Sequence, residues 1–204
     1  MLRLLITLAA LACMPTFARA QDAAPPQDKL ACEGPFAKDS THAKLVAAFG
    51  AKNVTIEDVD GAEGSKEKAS VLFAGEPTRR LEIFWADETR RARPASIRVR
   101  TPSQWLGPEG LTNGLRLEQV EKANGKPFKV NGFEWDYGGF VTGLDGKLNA
   151  LPGGCSAGIR FEATRTLKRP KFDPIIGDKA IVSTNSLLRQ VRPMVSEWSV
   201  GYAQ

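Results

Sequence analysis

Gly154-Cys155-Ser156-Ala157-Gly158 matches the glycine-x-serine-x-glycine spacing that presents a hydrolase nucleophile. Such a serine needs a strand before it, a helix after it and a histidine to take its proton. Here Ile159, Phe161 and Ala163 alternate like a strand where the helix should begin. The single histidine, His42, lies far upstream of the serine, where that chemistry places it downstream. The five residues read better as a turn of small residues around a disulfide. Cys155 with His42 could in principle make a thiolate nucleophile, but only if the two converge and Cys155 stays reduced. His42 falls near the start of a helix and is expected to be exposed.

Other chemistries find less support. Transition-metal sites take His and Cys in close pairs, and this chain has one histidine and widely spaced cysteines. Glu57, Asp58, Asp60 and Glu63 cluster without the spacing of a calcium loop, and read as an acidic turn. Glu82, Asp87, Glu134 and Asp136 fall on or beside strand-like segments, where paired carboxylates could hydrolyse a glycan, but ordinary solvent-facing positions explain them as well. No glycine loop leads into a helix to cradle phosphate. No cofactor or metal is expected, and the chain reads as a non-enzyme.

Two features suit binding instead. Arg79, Arg80, Arg90, Arg91, Arg93, Arg98 and Arg100 concentrate positive charge in the first half. Arg98 and Arg100 share one strand face, where they could meet anionic lipid or an acidic surface, or simply be solvated. Trp135-Asp136-Tyr137-Gly138-Gly139 is the most distinctive local phrase. Read as a strand, it places Trp135 and Tyr137 on one face and Glu134 and Asp136 on the other. The aromatics then serve either as core or as a contact surface for a partner or sugar.

The elements that must position these residues are short. A helix is expected over Asp39–Phe49, capped by Asp39 or Ser40 and stopped by Gly50. Strands are expected at Val54–Val59, Ser70–Ala74, Arg80–Trp85 and Ala95–Arg100, with the second and third joined through Gly75-Glu76-Pro77-Thr78. A second helix fits Leu117–Asn124, ended by Gly125. Strands follow at Phe128–Val130, Phe133–Tyr137, Phe140–Thr142, Lys147–Leu151 and Ser156–Thr164. Leu167–Asp178 reads as a basic connection, Ser183–Gln190 as a short helix or turn, and Val195–Tyr202 as a closing strand. The pattern predicts an α+β fold, antiparallel sheet with short helices on one face. A helix–glycine–meander phrase occurs twice, which raises a tandem duplication with halves 32–103 and 104–204 inside a single domain, 32–204.

The N-terminus carries Arg3, an apolar run from Leu4 to Cys13 broken only by Thr7, then Pro15 and Ala18-Arg19-Ala20. This is the pattern of a cleaved secretory signal, residues 1–20, and it is shorter than the roughly 20 apolar residues that span a bilayer. No other run is longer, so no transmembrane segment is expected in the mature chain. Ala10-Leu11-Ala12-Cys13 gives a second reading, a lipoprotein anchored at Cys13. Residues 21–31 read as a disordered tail. The signal holds two arginines and no acids, so the mature chain carries two charges fewer than the formal +5. With export, that mild charge makes nucleic acid an unsuitable partner. Removing Cys13 leaves Cys32 and Cys155, an even pair that predicts one disulfide in an oxidising compartment, the bacterial periplasm or exterior.

"GLRLEQVEKANGKPF" resembles a phrase of small exported bacterial proteins with the β-lactamase-inhibitor-protein-like fold, a group that includes envelope lipoproteins of the outer-membrane assembly type. Gly114, Val120, Gly125 and Pro127 carry the match over about 15 residues. The longer stretch through "GFEWDYGG" looks like a family of uncharacterised exported bacterial proteins. The resemblance implies a helix packed on an antiparallel sheet and a binding role. The sequence therefore predicts an exported binding protein whose partner is a protein or an envelope component. An envelope lipoprotein with a structural role and a hydrolase of glycan or peptide are the alternatives.

Overall fold

A computed structural model describes residues 28–203. The expected secretory signal, Cys13 as a lipidation site and the part of the expected tail up to residue 27 lie outside the described residues.

Six antiparallel strands form the main sheet, in the order β1 (Val54–Asp60), β2 (Lys66–Leu72), β3 (Leu81–Asp87), β4 (Ala92–Arg100), β9 (Met194–Tyr202) and β7 (Cys155–Glu162). A smaller antiparallel sheet has the order β6 (Val141–Thr142), β5 (Lys129–Asn131) and β8 (Ala180–Val182). Among the described residues three short α-helices accompany the sheets: α1 (His42–Phe49), α2 (Leu117–Asn124) and α3 (Ser186–Gln190). The α+β class expected from the sequence is the class observed.

Alternation sets the two faces of the main sheet. Leu81 and Ile83, Ile97 and Val99, Trp198 and Val200, and Ile159 and Phe161 all point one way and are almost wholly buried. They pack against Phe36, Leu45 of α1, Trp105, Leu117 and Val120 of α2, Val130 of the small sheet and Leu188 of α3, in one continuous core. The helices and the small sheet thus form a single layer over the inner face.

Polar side chains fasten that layer. Thr41, rather than Asp39 or Ser40, caps α1 by accepting from Lys44 N–H at 3.2 Å. Gln119 of α2 reaches back to accept the Arg116 N–H at 2.8 Å. Buried Ser183 accepts from Phe128 N–H and donates to Glu121, which also pairs with Arg189 at 3.2 Å. This ties α2, β5 and α3 together. Tyr202 donates from its hydroxyl to the Phe36 carbonyl, and burial pushes its pKa up to about 12.

The expected disulfide is formed: Cys32 and Cys155 have Cα atoms 6.3 Å apart and lie 123 residues apart in sequence. It pins the N-terminal segment to the start of β7. Gly153 makes the approach feasible. Its φ is +85°, and a Cβ there would fall 2.1 Å from the Cys32 carbonyl oxygen.

Several expectations are corrected. Order begins at least by Asp28, not Cys32: Leu30 is buried and hydrogen-bonded to the Leu106 carbonyl, and Asp28 pairs with Arg79 at 2.6 Å. Lys147–Asn149 is a turn of 3₁₀ helix, not a strand, because buried Asn124 accepts from Leu148 N–H and draws the chain into a turn. β8 lies between the expected connection Leu167–Asp178 and the expected segment Ser183–Gln190, where no strand was expected. The two helix–glycine phrases introduce different topologies. α1 leads into the β1–β4 meander, whereas α2 leads into the small sheet, and β9 of the second half pairs with β4 of the first.

Candidate functional site

The outer face of the main sheet is a grid of paired positions. Phe84, Ser96, Gly201 and Ser156 form one row, read off the strand register. Glu82, Arg98, Ser199 and Gly158 form the next, and Arg100, Glu197 and Arg160 a third. Small residues in the first two rows leave the surface low in the middle.

Two walls rise from this floor. One is the β1–β2 tip, Gly61–Lys68. Arg98 and Arg100 both donate to the Asp60 carbonyl, at 2.8 and 3.1 Å, and hold the tip over the sheet. The other wall is the connection from β5 to β6, residues 132–140, which passes round the β7 edge. Phe161 N–H donates to the Gly139 carbonyl at 2.8 Å, and Phe140 bridges Arg160. Only glycine fits at 139: its φ is +78°, and a Cβ would sit 1.9 Å from the Phe161 carbonyl oxygen. This wrap also covers part of an otherwise open sheet edge.

The second wall carries the Trp135–Tyr137 phrase. It is not a strand, contrary to expectation. Glu134 has φ +64°, which breaks extended geometry, and Gly132 lies so close to the 175–177 backbone that a Cβ would meet the Gly177 carbonyl at 2.4 Å. The two aromatics still meet, edge to face, with ring centroids 5.4 Å apart. Trp135 Nε1 donates to the Gly132 carbonyl at 2.7 Å. Arg160 stiffens the loop, donating to the Gly138 and Asp136 carbonyls and lying over the Phe140 ring.

The walls touch. Tyr137 Oη lies 3.3 Å from Glu63 Oε1, and the Glu63 charge raises the phenol's pKa above its ordinary value. Beneath and beside this contact runs a groove of about 1060 Å³. Ser96 and Ser199 lie on its floor, Phe84 and Phe140 beside them, and Trp135 and Tyr137 along the wall. Arg98, Arg100 and Asp136 also line it. All five binding candidates from the sequence therefore line one groove.

Searches with this chain matched no family model, no curated protein and no solved structure. The groove is read from its own residues alone.

The remaining sequence candidates lie elsewhere. Ser156 is a strand residue opposite Gly201, with no strand-to-helix turn around it, and Cys155 is bonded to Cys32. The acidic residues expected in a turn lie instead on β1, Glu63 alone excepted: Asp58 pairs with Lys68, and Asp60 with Lys66, which holds the Asp60 carboxyl below its usual range. Asp87 pairs with Arg90 and Glu134 with Arg169. The basic concentration does not act as one patch. Arg79 pairs with Asp28 and Glu76, while Arg80 joins Glu57 to Glu82. The sequence missed Glu63, Ser96, Arg160 and Ser199 as groove residues. Only their outward phase on the strands or their place in a turn hinted at them.

His42 is half-buried rather than exposed, and belongs to the inner side of the fold. Its Nδ1 lies 2.8 Å from Ser70 Oγ, which accepts from Trp85 Nε1 at 2.9 Å. Trp85 can only donate, so the Ser70 hydroxyl has its own proton to give to a neutral His42 Nδ1. Burial, and then the Arg91 charge, lower the His42 pKa below 6.5. The unfolded chain then binds a proton that the fold refuses. This contribution to stability is complete above pH 6.5 and is lost as pH falls from there toward the folded-state value. Melting temperature measured from about pH 7.5 down to 5 should decline in the wild type and decline less in His42→Gln. Equal slopes for the two proteins would refute this account of His42.

Proposed function

We propose that this chain is an exported, non-enzymatic binding protein that holds its ligand in the groove over the outer face of the main sheet. The roofing of that face carries the reading. On this face Phe84 joins Val59, Ala69 and Val71 in a small apolar cluster, but the floor of Ser96, Gly201, Ser199 and Gly158 beside it needs only water above it. Here two separate loops are fastened over it by Arg98, Arg100 and Arg160 and meet at Tyr137 and Glu63. Rigid walls, exposed aromatics and convergent polar groups are what a preformed ligand site needs.

Export is supported by the Arg3–Ala20 pattern and by the Cys32–Cys155 bridge, since disulfides persist in oxidising compartments. No helix among the described residues is long and apolar enough to cross a membrane. The resemblance to small exported envelope proteins agrees with a binding role. Intact mass of the chain recovered from periplasm should place its first residue at Gln21, with alkylation only after reduction. A lipidated Cys13 at the start would make the envelope-lipoprotein reading primary, and alkylation without reduction would contradict the bridge.

Ser96→Trp tests the site. Ser96 stands between Phe84 and Gly201, so an indole there fills the groove floor. The wild type should retain a component of envelope extract that Ser96→Trp, with the same melting temperature, does not. Equal retention would contradict the groove as the site.

A further inference from the structure

Resting on that reading, we infer that the groove's ligand is an uncharged oligosaccharide of several sugar rings. Charge is the first reason. Lys66, Lys68, Arg98, Arg100 and Arg160 line the groove. Glu63, Glu67, Glu88, Asp136 and Glu197 line it too, in equal number. The basic groups are also spent within the protein. Arg98 binds Glu82 and the Asp60 carbonyl, Arg100 binds Glu197 and the same carbonyl, and Arg160 binds two loop carbonyls. An anionic ligand would have to break these contacts. A neutral ligand rich in hydroxyls can accept and donate around them without doing so.

The walls give the second reason. Tyr137 is 42% exposed although it is a large ring on a loop held at several points. With Trp135 it forms an angled pair, which suits the apolar C–H face of a pyranose ring. Ser96 and Ser199 present hydroxyls from the floor.

The floor gives the third reason. It is the face of a sheet, whose backbone groups are consumed in strand pairing, and the nearby β7 edge is met by Gly139 and Phe140. An extended peptide gains its affinity by pairing with an open edge, and over this face its own N–H and C=O groups would go unmatched. An oligosaccharide has no such backbone to satisfy. The volume, about 1060 Å³, is just above the range of about 300–1000 Å³ for drug-sized ligands, and so suits several rings rather than one.

The test is an amide chemical-shift titration of the mature protein with cellotetraose, maltotetraose and chitotetraose, and separately with a mixture of extended neutral hexapeptides. At least one tetrasaccharide should give saturable shifts at residues 61–68, 96, 135–140 and 199. Trp135→Ala should weaken that binding by about tenfold, and raising salt from about 50 to 500 mM should change it less than about twofold. No saturable shift from any of the three sugars overturns the carbohydrate assignment. Saturable shifts in the same residues from peptide alone overturn it too, yet leave the groove standing as a binding site. Sugar binding undiminished in Ser96→Trp would instead overturn the groove itself.

Discussion

Replacing Cys32 and Cys155 together by alanine is expected to lower stability by about 5 kcal/mol and the melting temperature by about 10–20 °C. The size comes from the loop the bridge closes, 123 residues, since the entropy removed from the unfolded chain grows with loop length. Alanine is the right replacement because both sulfurs are buried, and serine would add buried hydroxyls with their own cost. Gly153, having no Cβ, leaves room for the Cys32 carbonyl beside the bridge. The loss should also be local. The segment from Asp28 to Cys32 is paired through its backbone with Leu106, and its amides should exchange first. Urea unfolding of wild type and double variant measures the effect. A difference below about 1 kcal/mol would mean that the segment is held by its own packing and that the unfolded chain is already compact.

Glu82→Ala should be the most damaging single change on the outer face, at about 3 kcal/mol or more. Glu82 is 6% exposed and receives Arg98 at 2.8 Å and Arg80 at 3.2 Å. Through these arginines it connects Glu57 on β1 to the Asp60 carbonyl. Removing the carboxylate leaves Arg98, itself mostly buried, without its counter-charge. The same change frees the β1–β2 tip, so exchange at Gly61 and its neighbours should quicken beyond what global destabilisation explains. Glu82→Leu combined with Arg98→Met should recover much of the loss, because an apolar pair avoids the desolvation that a lone buried ion suffers. Urea unfolding of the wild type and these two variants checks both statements. A loss under about 1 kcal/mol for Glu82→Ala would show that solvent already screens the ladder.

The sequence made the regular elements legible where alternation was backed by burial. Ile97 and Val99 in β4, and Trp198, Val200 and Tyr202 in β9, announce the centre of the sheet, and Leu117, Val120 and Gly125 frame α2. It misled where alternation was incidental. Phe133, Trp135 and Tyr137 repeat every second residue, but the left-handed Glu134 and the tight approaches at Gly132 and Gly138 turn that stretch into a loop. β8 has only three residues, too few for a pattern.

The candidate site was half legible for the same reason. Arg98, Arg100, Trp135 and Tyr137 stood out by type, and each lines the groove, although the arginines hold the fold together rather than face a ligand. The partners that make the site are distant in sequence. Glu63 meets Tyr137 across 74 residues, and Ser96 meets Gly201 only through strand pairing. Neither contact leaves a local trace.

The most direct measurement of the central claim is amide hydrogen exchange of the wild-type mature protein with and without envelope extract, read residue by residue. The groove account predicts slowed exchange at residues 61–68 and 135–140 together, with α1 and α3 unchanged. Protection confined to α1, α3 or the small sheet, or none in either wall, would contradict it.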